Sequence, residues 1–292
     1  MTHLSWLMPL LLGAWYSAVP IVFAAVAGVI SERAGVPNIA LEGYLLAAAF
    51  AAVAAGQHSA AMGLFAGIAA GVVLGLILAA LTQDLKIDPI VSGIGITMFA
   101  AGATEYLSTD LYPSGVEVGG FPKWPFMILA VILPFAATYL VANTRFGLRL
   151  RSAGEDPHSA RMAGISPRKI RYAALALSGA LGGLGGVFLS MVDAHTFSSN
   201  MSAGKGYIAL ALVVFGGWRP VRVSLGALMF GFLYALQTQV QISNWRLHAF
   251  GIDLSDSLLL DAVPYLMTVV VVSIAALRVL PPRALAGKST TD

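Results

Sequence analysis

The chain has 292 residues, of which 58% are hydrophobic and only 11% charged, with a formal net charge of +3. A soluble globular domain carries about 25% charged residues, so the polar surface that water requires is missing, and the small net charge gives no footing for nucleic acid. Cysteine is absent, which excludes disulfides, thiolate nucleophiles and cysteine-ligated metals.

The composition predicts an all-α polytopic membrane protein, a single transmembrane domain over residues 1–292. The first apolar segment, Met8 to Ile30, has no basic stretch ahead of it and reads as a retained span rather than a cleaved signal; Pro20 lies inside it. A polar break, Ser31 to Asn38, precedes the second segment, Ile39 to Ala55, which contains Glu42. The third runs from Ala60 to Leu81, a charged turn follows from Gln83 to Pro89, and the fourth runs from Ile90 to Leu107. A Gly/Pro-rich loop, Ser108 to Trp124, leads to the fifth, Pro125 to Val141. The long polar stretch Asn143 to Arg171 then reads as a loop holding seven basic residues. Beyond it come the sixth segment, Tyr172 to Val192, the seventh, Gly206 to Phe215, the eighth, Val223 to Val240, and the ninth, Ala262 to Leu277. The seventh is short and preceded by glycines, the pattern of a broken or re-entrant segment. Continuous apolar runs disfavour a β-barrel, whose strands alternate.

Charge sets an expected orientation. With 143–171 in the cytoplasm, only Lys123, Lys205 and Arg246 of the 17 Lys and Arg fall on the other side. That bias obeys the positive-inside rule and puts the N-terminus outside and the C-terminus inside.

Two apparent nucleotide motifs lack their settings. Gly287-Lys288-Ser289-Thr290 has Pro282 where a phosphate loop needs its first glycine. Gly182-Gly183-Leu184-Gly185-Gly186 lies in an apolar segment without a βαβ unit, and reads as a surface for close helix packing. The histidines at 3, 58, 158, 195 and 248 form no ligand pair at helical spacing, so neither a metal centre nor a catalytic group is expected.

Polar breaks in membrane segments are costly unless they face protein or a wet path. Asn38 and Glu42 are four residues apart and share a helix face; Glu42 reads either as a cap for a broken helix near Asn38–Gly43 or as a solute contact. Ser92 and Thr97, with Thr104, form a weak polar stripe. Glu105, near the end of its segment, reads as snorkelling to water. In the long loop, Pro157 after Asp156 starts a short helix, Ser159 to Ala163, which Gly164 can end before Ser166-Pro167. Such a helix is either a docking element for a soluble partner or an ordinary basic inside loop.

Three ordered stretches carry a family resemblance. They are Ser31-Glu32-Arg33-Ala34-Gly35-Val36-Pro37-Asn38 through Glu42-Gly43; Thr144 to Pro157, continuing through Ala160 and Ala163-Gly164-Ile165; and Gly204-Lys205-Gly206-Tyr207 followed by Phe215-Gly216-Gly217-Trp218-Arg219-Pro220. The chain resembles ABC-importer permeases of the branched-chain amino acid and simple-sugar superfamily, closest to the nucleoside or simple-sugar branch. The resemblance implies a permease subunit translocating nucleosides or simple sugars across a plasma or bacterial inner membrane. It implies a second permease subunit, a cytoplasmic ATPase that holds ATP and Mg2+, and an extracytoplasmic solute-binding protein. The chain itself would be no enzyme and hold no cofactor. Glu155, Asp156, Pro157, Ala160, Ala163 and Gly164 would form the ATPase-coupling element within 143–171. Asn38, Glu42, Ser92, Thr97, Gly204, Gly206 and Tyr207 would belong to the pathway or its broken helices. The competing expectation is an ion-coupled secondary transporter of small polar solutes, which would show inverted repeats.

Overall fold

A computed structural model describes residues 7–112 and 115–243, and beyond them only 248–249, 252–253, 282 and 285. The described chain is helical: α1 (Leu7–Arg33), α2 (Leu41–Gly56), α3 (Ala60–Gln83), α4 (Pro89–Leu111), α5 (Lys123–Asn143), α6 (Arg145–Glu155), α7 (Pro157–Met162), α8 (Pro167–Val187), α9 (Lys205–Phe215) and α10 (Pro220–Ser243). A single π-turn, Phe188–Asp193, extends α8. The only strand pairing among the described residues joins His248–Ala249 to Ile252–Asp253. Six of these helices are long and apolar enough to cross a membrane, counting α8 with its π-turn as one, while α2 and α9 are apolar but shorter. The ninth expected segment, Ala262 to Leu277, lies outside the described residues.

Helix α1 is the axis of the bundle. It is apolar all round, the signature of a helix buried on every side, and Ala18 through Ile30 are buried without interruption. It packs on α5, α8, α9 and α10. A second layer forms where α3 lies along α8 and α2. Gly63, Gly67, Gly71 and Gly75 of α3 recur every four residues, so they share one face. A Cβ on Gly71 would overlap the carbonyl of Gly179 on α8, and a Cβ on Gly179 would overlap that of Gly71. The glycine run of α8 serves packing as well: Gly182 lies against Tyr44, and Gly185 and Gly186 against Leu45. Small residues are how helices gain contact where lipid offers no hydrophobic drive.

By contrast, α4 and α5 turn apolar side chains outward, including Met98, Phe99, Ile132 and Phe135.

The stretch 143–171 is more ordered than its polar composition predicts, because α6 occupies its first third. Thr144 caps α6 by accepting from the Gly147 N–H at 3.0 Å. Gly147, Leu150 and Gly154 then recur at three- and four-residue spacing and are buried, leaving Arg145 and Arg149 on the exposed face. The charge density of this segment masks a one-sided helix.

One end of the bundle gathers the end of α1, the end of α3, α6, α7, the start of α8, the end of α9 and the start of α10, through the bonds described below. At the opposite end, the Tyr16 hydroxyl donates to the Val192 carbonyl at 3.0 Å and the Val118 N–H donates to the His195 carbonyl at 3.0 Å.

Candidate functional site

Two regions bring the motif residues together. The first is a junction of two short apolar helices, α2 and α9. Helix α1 stops at Arg33 because Gly35, at φ 82°, turns the chain left-handed; the Gly35 N–H donates to the Glu32 carbonyl and the Val36 N–H to the Ser31 carbonyl, closing the paired helix-end bonds that glycine permits. Residues 34–40 then run non-helically through the buried interior before α2 begins. The Asn38 amide donates to the Ser178 hydroxyl of α8 at 3.0 Å.

Helix α9 begins after Gly204, which sits left-handed at φ 76°. Its first N–H groups have no partner in their own helix. The Glu42 carboxylate supplies one: Oε1 accepts from the Ser202 hydroxyl at 2.5 Å and from the Gly204 N–H at 2.9 Å, and Oε2 accepts from the Gly206 N–H at 2.6 Å. An acidic group at a helix N-terminus also meets the positive end of the helix dipole. The approach is so close that a Cβ on Gly206 would collide with the Glu42 backbone. The Glu42 carboxylate therefore caps a helix that begins more than 160 residues later in the chain. The Lys205 ammonium donates to the Ser202 carbonyl at 3.4 Å and lies 5.4 Å from the Tyr234 ring centre. Asp193 and Glu42 attract it electrostatically.

Ser92 and Thr97 face inward to this junction. Both are buried, and the Thr97 hydroxyl donates to the Ile39 carbonyl at 3.3 Å. Their stripe on α4, with Gly93, Ile96, Ala100 and Thr104, is the face packed on α2. Tyr207, one residue beyond the cap, is half exposed. The structure thus brings Asn38, Glu42, Ser92, Thr97, Gly204 and Gly206 into one neighbourhood and leaves Tyr207 at its rim.

The second region is α7 and its mounting. Asp156 caps α7: its Oδ1 accepts from the His158 N–H at 2.9 Å and the Ser159 N–H at 3.1 Å, and its Oδ2 accepts from the Ser159 hydroxyl. These bonds, the Ser159 hydroxyl foremost, hold the Asp156 carboxyl below the usual carboxylate range. Pro157 takes the first helical position, where no N–H is needed. Gly164, at φ 76°, ends the helix as Gly35 ends α1, with the Gly164 N–H on the Arg161 carbonyl and the Ile165 N–H on the Ala160 carbonyl. The helix spans Pro157–Met162 rather than Ser159–Ala163, because the Asp156 cap starts it earlier. Ala160 alone in α7 is buried; Glu155, His158, Ser159, Arg161, Met162 and Ala163 are exposed.

Sequence reading missed what fixes α7 to the bundle. Arg171 donates to the Ala34 carbonyl at 3.1 Å, to Gln83 Oε1 at 3.1 Å and to the Ala153 carbonyl at 3.5 Å. One guanidinium therefore joins the end of α1, the end of α3 and α6. Arg168 pairs with Asp84 at 2.7 Å, and the Tyr172 hydroxyl donates to the same carboxylate at 2.6 Å; that phenol, ahead of the arginine, draws the Asp84 carboxyl down. Gly154 packs directly on the Arg33 carbonyl. The Trp218 indole donates to Glu32 at 2.6 Å, and Arg33 donates to the Trp218 carbonyl at 3.0 Å. The three motif stretches, far apart in sequence, meet at this end. No sequence signal separated Arg171 or Asp84 from neighbouring charges; the pairing exists only in the fold.

Comparison with known proteins places the chain in a family. Residues 10–272 match the family described as Branched-chain amino acid transport system / permease component. The chain belongs to this family. It is a transmembrane permease component of an ABC importer, the non-catalytic membrane part of a transport complex, and a multi-pass membrane protein. Family membership displaces the ion-coupled alternative. The chain is 31% identical to the nucleoside ABC transporter permease protein NupC of Lactococcus lactis, over 91% of each chain. It is 35% identical to the guanosine ABC transporter permease protein NupQ of Bacillus subtilis, over 75% of this permease and 78% of that one. It is 31% identical to a putative glucose ABC transporter permease protein of Haloferax volcanii, over 90% of each. Among the described residues no group of three or more His, Asp or Glu is placed to hold a metal ion.

Proposed function

We propose that this permease moves nucleosides or simple sugars inward as half of a permease pair, driven by a cytoplasmic ATPase that binds ATP and Mg2+ and fed by an extracytoplasmic solute-binding protein. The likeness over nine-tenths of the chain to a nucleoside permease supports the substrate class. The end that carries α6, α7 and the arginines is the cytoplasmic one, which puts the N-terminus outside and the C-terminus inside, in a plasma or bacterial inner membrane.

Segment 143–171 is the coupling element of the single permease domain. The observation that carries this reading is α7 itself: a capped helix of six residues, exposed on all but its Ala160 side, and mounted on a framework of packed contacts. Glu155, Asp156, Pro157, Ala160, Ala163 and Gly164 shape and present it to the ATPase. Movement of α7 would pass through α6 and Arg171 to the Ala34 carbonyl, where the non-helical stretch leading to Asn38 and Glu42 begins. Asn38, Glu42, Gly204 and Gly206 then act as the pivot of the two short helices, with Ser92 and Thr97 bracing it and Tyr207 at its edge. Two states biased by solute and nucleotide suffice for alternating access.

The test is reconstitution of both permeases, the ATPase and the binding protein in liposomes, with uptake and ATP hydrolysis measured across a panel of nucleosides and sugars. Solute-stimulated hydrolysis with uptake of one class is expected. An assembled complex that couples to none of them would refute the reading. Cysteine substitutions at Ala163 should crosslink to the ATPase and be reachable only from the cytoplasmic side.

A further inference from the structure

At the end of the bundle opposite α7, a cavity of about 250 Å³ opens between the ends of α2 and α4 and the segment after the π-turn. It is smaller than the sites that enclose a drug-sized ligand, which run from about 300 Å³ upward, as befits a site open on one side. Its walls divide by chemistry. Tyr112 and Phe197 supply aromatic surface, and Phe50 packs behind both, edge-on to Phe197 at 5.4 Å and tilted to Tyr112 at 6.4 Å. Ser108, Thr109 and Ser199 supply hydroxyls. The Ser108 and Thr109 hydroxyls each give their proton to the Glu105 carbonyl, at 2.9 and 3.0 Å, so their oxygens remain as acceptors toward the cavity.

A second observation leads from the cavity down α4. Met98, Gly102, Glu105 and Thr109 lie at spacings of three and four, on the face opposite the one packed on α2. Nothing lies within 4 Å of where a Cβ on Gly95 or Gly102 would stand. Glu105 is exposed two turns inside the helix end, and no ion pair forms with it among the described residues. An ionised carboxylate on a lipid-facing surface is costly, so such a residue faces water or protein. From Gly102 to Thr109 this face carries a glycine, a carboxylate and a hydroxyl, a poor lipid surface and a suitable wall for a wet path.

We propose that this cavity is the outer receiving site for the solute, that the Gly102–Glu105 face of α4 is the wall it passes next, and that the ligand is a nucleoside. A nucleobase needs a flat aromatic partner and its sugar needs hydroxyl neighbours; Tyr112 with Phe197, and Thr109 with Ser199, provide the two halves. This inference rests on the solute class proposed above and narrows it.

The absence of native cysteine in this chain makes the test direct. In the reconstituted importer, Ser199→Cys should react with a charged, membrane-impermeant thiol reagent added outside, and excess guanosine should slow that labelling about tenfold while glucose does not. Glu105→Cys should react at a rate typical of a wet position, whereas Phe65→Cys on the outward face of α3 should stay unlabelled. Tyr112→Ala and Phe197→Ala should raise the KM for guanosine uptake about tenfold, the order expected for losing one stacked base, and Tyr112→Phe should restore it. An importer that takes up guanosine yet shows no protection at position 199, or a residue at 105 as inert as that at 65, overturns this site and leaves the proposed function standing. An importer that takes up sugars alone overturns the ligand class in both.

Discussion

Glu42 and Asp156 perform the same task in opposite surroundings. Each is a carboxylate that accepts two backbone N–H groups and a serine hydroxyl at the start of a short helix: α9 for Glu42, α7 for Asp156. Glu42 is 3% exposed in the middle of the bundle, and Asp156 stands at the surface. Water can replace Asp156 but not Glu42. The difference separates a cap that holds the fold together from one that shapes an exposed helix at the surface.

The largest effect should therefore come from Glu42→Ala. It strands two buried donors, the Ser202 hydroxyl and the Gly206 N–H, each costing about 1–3 kcal/mol, and the part-buried Gly204 N–H, so the variant should fail to accumulate in the membrane or lose most of its thermal stability in detergent. Glu42→Gln keeps one acceptor oxygen and should fall between. A Glu42→Ala protein as stable as the parent would break the comparison. Gly206→Ala comes next, because the added methyl meets the Glu42 backbone; overpacking of this kind costs about 1–3 kcal/mol, read as a lowered melting temperature.

Asp156→Ala should leave melting and assembly close to the parent while reducing solute-stimulated ATP hydrolysis, and Asp156→Asn should recover much of it, since asparagine caps nearly as well. A fall in stability matching that of Glu42→Ala would erase the distinction. The smallest effect is in pH. The Asp156 carboxyl titrates below its ordinary value in the folded chain, so its contribution is fully present above the unfolded-state value and is lost as pH falls through the folded-state value. Coupling should be flat through neutral pH and decline only in acid, a step that Asp156→Asn should remove from the profile of ATP hydrolysis.

Much of the architecture was legible because apolar length and glycine placement are local properties. Gly164 announced a helix end and Gly35 lay in a polar break, and both occupy the left-handed turn that only glycine takes easily. The motif residues around Asn38 and Gly204 marked two breaks. What the sequence could not reveal is that the breaks complete each other: Glu42 looked like a cap for its own segment because its partner lies so far along the chain. The α4 hydroxyls show a related ambiguity. Ser92 and Thr97 read as a pathway stripe, and both lie on the face of α4 packed on α2, while the outward face carries Gly102 and Glu105. Periodicity finds a helix face but not its neighbour. Arg171 was one of seven basic residues, and nothing local distinguished the one that would join three helix ends.

The glycine seam between α3 and α8 constrains how the importer can move. Two helices meeting backbone to backbone at Gly71 and Gly179 have little side chain between them to yield. A rotation of α3 about its own axis would drive the Val72 or Leu74 side chain toward a backbone that has no room for it. The pair should therefore behave as a chassis, keeping its internal geometry through the transport cycle, while the short helices α2 and α9 and the loosely held α4 supply the travel.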